Sequence, residues 1–387
     1  MRRETKQIPL SLYVHFPWCV QKCPYCDFNS HALRGELPED AYIDALLRDL
    51  DFELASDASR LTPHDPLISI FMGGGTPSLF SDRSIGRLLD ALSARLAFAP
   101  AIEITLEANP GTAEAGHFRG YRAAGVNRLS MGFQSLDDAQ LRRLGRIHDR
   151  AEALRAYALA RAAGFDNINL DLMYALPQQT PAEAAADLRA LIALQPEHIS
   201  WYQLTLEPNT AFGLHPPPLP DDDSAWTMQE DGQALLAAAG YAQYEVSAYA
   251  RGPQARHNRN YWEFGDYLGI GAGAHGKLSG AGGVRRRARH KHPKTYLQQA
   301  GTAAAVQEDR EVPAADLPFE FLMNALRLNE GFAPSLYAQR TGLAWDADLP
   351  AVRAAVQRGL LDIDAARVRP SALGRRYLNG LLRLFLE

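Results

Sequence analysis

The stretch "WCVQKCPYCDFN", residues 18–29, holds every cysteine of the chain: Cys19, Cys23 and Cys26, spaced C-x3-C-x2-C. An odd number of thiols within one short segment cannot build a disulfide framework, and a reducing compartment would not favour one. Structural zinc takes four ligands in a closed tetrahedron, so it would have to borrow His15, His31 or Asp27, and its motifs usually come as paired C-x2-C knuckles. The better account is a [4Fe–4S] cluster, which takes one thiolate per iron. Three thiolates leave one iron open, and an open iron can chelate the amino and carboxylate groups of S-adenosylmethionine. An electron from the cluster can then cleave the sulfonium bond homolytically. Pro24 and the polar residues around it describe a loop, not the apolar face on which three plain core cysteines would sit.

Outward from that loop, apolar runs rich in β-branched residues recur about every thirty residues with helical stretches between them. They are "LSLYVHF" (10–16), "LISIFMGG" (67–74), "IEITLEANP" (102–110), "VNRLSMGF" (126–133), "FDNINLDLMYALP" (165–177) and "HISWYQLTLEPN" (198–209). Short strands alternating with longer helices mark βαβ units and a parallel sheet. The fold class is therefore α/β, a partial (β/α)6 barrel of the TIM type. Each run ends in residues unsuited to a strand interior, such as Gly73 to Gly75, Asn109 with Pro110, and Leu176 with Pro177. The polar and glycine-rich motifs thus fall at the carboxyl ends of strands, where barrels keep their sites.

The Pro-rich "HPPPLPDDDSAW" (215–226) reads as a linker running into a helix whose first turn carries Asp221, Asp222 and Asp223. The division expected is a barrel over 1–219, a helix-strand unit with a glycine-rich and basic segment over 220–300, and a small C-terminal α+β domain over 301–387. In the last, two short strands around "DAAR" leading to a final helix suggest a winged-helix-like unit. A composition with 47% hydrophobic and 22% charged residues over 387 positions supports a large packed core, and a net charge of -5 gives no general attraction to nucleic acid. Two arginines near the N-terminus precede no apolar stretch, and no later run reaches membrane-spanning length, so a cytoplasmic location is expected.

The cysteine spacing at the end of a first strand resembles the radical SAM superfamily. "LYVHFPWC", "GGGTPS", "EANP", "GFQSL", "GRIHD" and "DLMYALP" then follow in order and resemble the oxygen-independent coproporphyrinogen III oxidase family, including its haem chaperone branch, over nearly the whole chain. The resemblance implies a radical SAM barrel with Cys19, Cys23 and Cys26 on the cluster. It implies Gly74, Gly75 and Thr76 at the methionyl part of the cofactor, Glu107 and Arg146 at its charged groups, and Gln134 and Asp171 at the ribose hydroxyls. Tyr13 and the backbone near Tyr25 match further cofactor-contacting positions. No residue is assigned a catalytic role.

Two departures separate the chain from the oxidases of this family. They carry a further cysteine two residues after the third, where this chain has Phe28, and a longer segment ahead of the first strand. Both argue against decarboxylation of coproporphyrinogen. "HNRNYW" (257–262) matches the chaperone branch, which makes His257 a candidate axial haem ligand, since imidazole ligates haem iron and aromatic faces pack on a porphyrin. The partners implied are haem, acceptor haemoproteins and a reductant for the cluster. "GAGAHG" (271–276) satisfies G-x-G-x-x-G but opens no helix, so it reads as a tight loop under the cofactor or porphyrin instead of a dinucleotide motif. The run "RRRARHKH" (285–292) reads as a solvated basic loop, open to propionates, an acidic partner or peripheral contact with an anionic membrane.

Overall fold

The computed structural model describes residues 8–58, 60, 61, 65–111, 116–280 and 282–386; the segment ahead of the first strand lies largely outside them, at 1–7. Six parallel strands form where the apolar runs predict them: β1 (Leu10–Phe16), β2 (Leu67–Gly74), β3 (Phe98–Ala108), β4 (Arg128–Gln134), β5 (Ile168–Tyr174) and β6 (His198–Gln203). They are paired in sequence order, β1 to β6. Helices cover the outer face, so both faces of the strands are buried, as unbroken apolar runs require. Several of the helices start on side-chain caps. Asp149 with Glu152 and Thr180 with Glu183 form reciprocal capping boxes, and Asp221 caps the helix Asp222–Ala238 at the end of the Pro-rich linker.

The sheet is wider than six strands. β7 (Ala242–Gln243) pairs antiparallel with β8 (Ala248–Ala250), which adds antiparallel to the β6 edge; the run "YAQYEVSAYA" is two short strands broken at 244–247, not one. At the other edge, β9 (Asp266–Ile270) lies parallel to β1, in register Tyr13 with Gly269 and Val14 with Ile270. The antiparallel strands β10 (His275–Gly280), β11 (Gly283–Arg289) and β12 (Val306–Glu311) then complete a twelve-stranded sheet. Residues 242–289 therefore extend both edges of the barrel sheet, and "GAGAHG" is the turn between β9 and β10.

The basic run is corrected. It is strand β11, not a solvated loop, and its arginines are paired. Arg289 Nε donates to Asp49 at 2.7 Å, Arg287 to Glu53 at 2.7 Å and Asp57 at 3.0 Å, and Arg285 to Asp57 at 2.7 Å. On the other face Arg286 donates to Glu320 and, at 2.7 Å, to the Tyr267 hydroxyl. Buried charges persist when paired and hydrogen-bonded in this way. These four arginines give no free cationic face to a membrane or an acidic partner, and of the original patch only its end, Lys291 and His292, is exposed.

The C-terminal unit has helices Leu317–Ala325, Pro334–Thr341 and Pro350–Gln357, then a two-stranded antiparallel wing, Leu361–Ile363 with Val368–Pro370. Its core gathers Phe321, Phe332 and Tyr337 edge to face and includes Phe264 and Val284 from the sheet side. Among the described residues no helix is long and apolar enough to cross a membrane.

Candidate functional site

The cluster loop grows from the carboxyl end of β1. Trp18–Cys19 pairs in parallel with His31–Ala32, closing a loop that carries Cys23 and Cys26 in one turn, the Cys26 amide on the Cys23 carbonyl at 3.1 Å. All three thiols are free and partly exposed. The glycine turn after β2 clamps the start of the loop: Gly75 N–H donates to the Phe16 carbonyl and Thr76 N–H to the Trp18 carbonyl, both at 2.7 Å. A Cβ on Gly75 would fall 2.5 Å from the Trp18 oxygen, and one on Gly74, at φ +113°, 2.4 Å from the His15 ring. Only glycine lets this turn press against the loop.

Arg146 reaches the loop from the far side of the rim. Its Nη1 lies 3.6 Å from Cys23 Sγ, and its Nη2 donates to Asn109 Oδ1 at 2.6 Å and to the Gly132 carbonyl at 2.8 Å. Its Nε is buried with no partner, a donor aimed at something the protein itself does not supply. Burial pushes the Cys19 and Cys26 thiols up, so a cationic metal centre is what would hold them as thiolates. Neither nearby histidine is offered as a fourth zinc ligand. His15 uses Nδ1 on the Tyr13 hydroxyl at 3.0 Å and Nε2 on the Asn29 carbonyl at 2.8 Å, and His31 holds Asn29 Oδ1 at 3.2 Å. Three free thiols on one loop, a guanidinium with an idle donor and a turn without side chains fit a [4Fe–4S] cluster with an anionic ligand beside it.

The other rim residues come from successive strands. Glu107, near the end of β3, accepts from the Gly74 amide at 3.1 Å. Burial, and next the Asp171 charge, push its carboxyl up to about 7. Gln134 closes β4 at φ +66°, where a register shift after Gly132 re-aims it, and the Tyr202 hydroxyl donates to its Oε1 at 2.7 Å. Asp171 lies beside Gly132 in register on β5 and accepts from Asn169 Nδ2 at 2.7 Å, its carboxyl raised by burial. The sequence reading passed over three linking residues. Asn109 joins Arg146 to Thr76, whose Oγ1 takes the Asn109 amide at 2.9 Å; Tyr202 holds Gln134; and the charge of buried Arg128 partly offsets the rise at Glu107 and Asp171. Tyr25 packs near Phe212, its phenol raised by burial. If these groups hold S-adenosylmethionine, Asp171→Asn weakens its binding roughly ten- to a hundredfold, the worth of a hydrogen bond to a charged group, in anaerobic calorimetry.

His257 stands behind this rim on the helix Arg256–Trp262. It is 2% exposed, with Phe71 stacked at 5.0 Å, Tyr261 edge-on at 4.6 Å and Tyr13 at 6.3 Å. Nδ1 meets Ser69 Oγ at 3.0 Å, and Ser69 meets Ser11 at 2.7 Å, which takes Asn260 Nδ2 at 3.0 Å. Nε2 is buried without a partner, and burial, with the Arg128 charge second, pushes the imidazole down to about 3. The ring is thus neutral with one nitrogen held and the other idle, the state a metal ligand needs. Tyr13 and Tyr261 also line an open cavity of about 370 Å³ that borders Gly74 and Glu107.

Residues 13–191 match the radical SAM superfamily and residues 312–377 the HemN C-terminal domain. The chain is 52% identical to a protein of Haemophilus influenzae named heme chaperone HemW, and 51% identical to one of the same name from Escherichia coli, with 98% of each chain covered in both cases. Among solved structures, coproporphyrinogen III oxidase (HemN) from Escherichia coli, a radical SAM enzyme, superposes with a TM-score of 0.82 at 26% identity, over 99% of this chain and 91% of that one.

Proposed function

Because the chain belongs to the HemW haem chaperone family of radical SAM proteins, we propose that it binds haem and passes it to acceptor haemoproteins, on a barrel that carries a [4Fe–4S] cluster and S-adenosylmethionine. The observation that carries this reading is 52% identity along 98% of both chains, so the likeness takes in the barrel, the sheet extensions and the C-terminal unit alike. Cys19, Cys23 and Cys26 would ligate the cluster. Tyr13, the backbone at Tyr25, Gly74, Gly75, Thr76, Glu107, Gln134, Arg146 and Asp171 would hold S-adenosylmethionine. When bound, the cluster supplies the electron that splits the sulfonium bond, and the reading calls for a one-electron reductant. Free thiols kept for iron suit a reducing compartment, so we assign the chain to the cytoplasm.

The chain's own residues set up the rest. Arg146 offers a guanidinium to the cofactor carboxylate beside Cys23. Glu107 and Asp171, ionised, would face its cationic groups and hydroxyls. Ser69 holds His257 at Nδ1 and leaves Nε2 without a protein partner, and His257 would ligate haem iron through Nε2 once the Tyr261 ring turns aside. His257→Ala is expected to shift the Soret band of the haem complex; the same band in wild type and variant would move ligation to another residue. The transfer claim is tested by mixing the haem-loaded chain with an apo-haemoprotein and separating them: haem should leave with the acceptor, and haem retained entirely on the chain would count against the chaperone.

The oxidase is the second reading, carried by the shared fold. Its identity is half that of the chaperones, and position 28 offers a phenyl ring in place of a thiol.

A further inference from the structure

Resting on the haem reading above, we infer that the cavity beside the cofactor rim is the porphyrin site, with Phe28 packing on the macrocycle, Lys291 pairing with its carboxylates and His275 hydrogen-bonding them. The cavity has the two chemistries a haem demands. Phe28, on the cluster loop, is 59% exposed and points its ring into this space, an apolar face that the protein leaves uncovered. Tyr261 and Tyr267 line the same space, edge to face at 4.4 Å. Among the described residues, the polar end carries one free cation and one neutral imidazole. The arginines of β11 all meet carboxylates, but Lys291, exposed just past that strand, meets none among the described residues. His275, at the start of β10, is exposed and lines the cavity beside it.

Two structural links tie this space to the proposed function. Asn29 donates to the Ala272 and Lys291 carbonyls at 2.8 and 2.9 Å, and a Cβ on Gly273 would fall 2.4 Å from Asn29 Nδ2. The cluster loop and the β9–β10 turn therefore form one wall, and "GAGAHG" needs glycine at φ +80° to make that contact. In addition, the Tyr13 and Tyr261 rings that line the cavity are the rings packed on His257, whose idle Nε2 lies one ring layer behind. The cavity of about 370 Å³, whose inner end at Tyr13, Gly74 and Glu107 is the side assigned to S-adenosylmethionine, is smaller than a whole porphyrin, so the cargo would stay partly outside, which suits a ligand that must leave. The residue that replaces a thiol of the oxidases thus has a role of its own: Phe28 is a stacking surface.

The test uses the anaerobically reconstituted full chain with two probes, haem and its dimethyl ester, which lacks the carboxylate charges. Lys291→Glu should weaken haem binding about tenfold and leave the ester unaffected, as loss of a charge-assisted contact predicts. Phe28→Ala should weaken both probes by roughly fivefold, since ring stacking ignores the carboxylates. Iron content and the cluster absorption report that each variant is folded. Wild-type affinity for both probes in both variants would overturn the site while leaving the chaperone standing. No haem binding by the wild-type chain would instead remove the reading on which the site rests.

Discussion

Replacing Cys23 by alanine is expected to abolish the iron–sulfur cluster: about four irons per chain in the reconstituted protein, and essentially none in the variant. Neither nearby histidine stands ready to substitute. The chain has no fourth cysteine, His15 is held at both ring nitrogens, and His31 is bonded to Asn29. The Arg146 guanidinium 3.6 Å from Cys23 Sγ would lose its neighbour as well, so S-adenosylmethionine binding should fall with the cluster. Stoichiometric zinc in place of iron, or an unchanged cluster spectrum in the variant, would refute the assignment.

The second large effect concerns Glu107. Its carboxyl is held at about 7 against an ordinary 4.5, chiefly by burial and then by Asp171, so ionising it in the folded chain without cofactor costs about 3 kcal/mol. The sign follows from which state binds the proton more tightly. Here the folded state does, so the chain loses stability as pH rises from about 4.5 to about 7 and stays at the lower level above that. Glu107→Gln keeps an oxygen for the Gly74 amide and removes the charge. The variant should therefore be more stable than wild type by about 3 kcal/mol at pH 8.5, and by about half that at pH 5.5, in anaerobic urea titrations without S-adenosylmethionine. It should also bind the cofactor more weakly, because the cofactor's positive charges are what offset the buried carboxylate. A variant no more stable at pH 8.5 than the wild type would show that the carboxylate is already stabilised within the apo site. Sites held ready for charged ligands commonly carry such a stability cost.

Much of this was legible in the sequence because the barrel strands alternate with helices at a regular spacing and because three thiols in one short loop have few chemical uses. β9 was not. "DYLGI" is short and followed by four residues of which two are glycines, so its apolar run looks like the start of a loop, and its place beside β1 is a long-range pairing that no local pattern announces. The basic run was misread although a signal was available. Arg285, Arg287 and Arg289 alternate as residues on one face of a strand do, while Asp49, Glu53 and Asp57 recur every four residues as on one face of a helix. The two faces meet across more than two hundred residues of chain, and each satisfies the other. The rim residues Glu107, Gln134, Arg146 and Asp171 were found through family likeness. Their linkers Asn109, Tyr202 and Arg128 needed the three-dimensional contacts, because each acts by holding another side chain in place.

The central claim is that this radical SAM barrel serves haem delivery in place of porphyrinogen oxidation. The most direct measurement is one anaerobic preparation, with cluster, reductant and S-adenosylmethionine supplied, offered coproporphyrinogen III in one vessel and haem in another. The account predicts a saturable Soret band with haem and no protoporphyrinogen from coproporphyrinogen III. Sustained conversion of coproporphyrinogen III by the wild-type chain would contradict it.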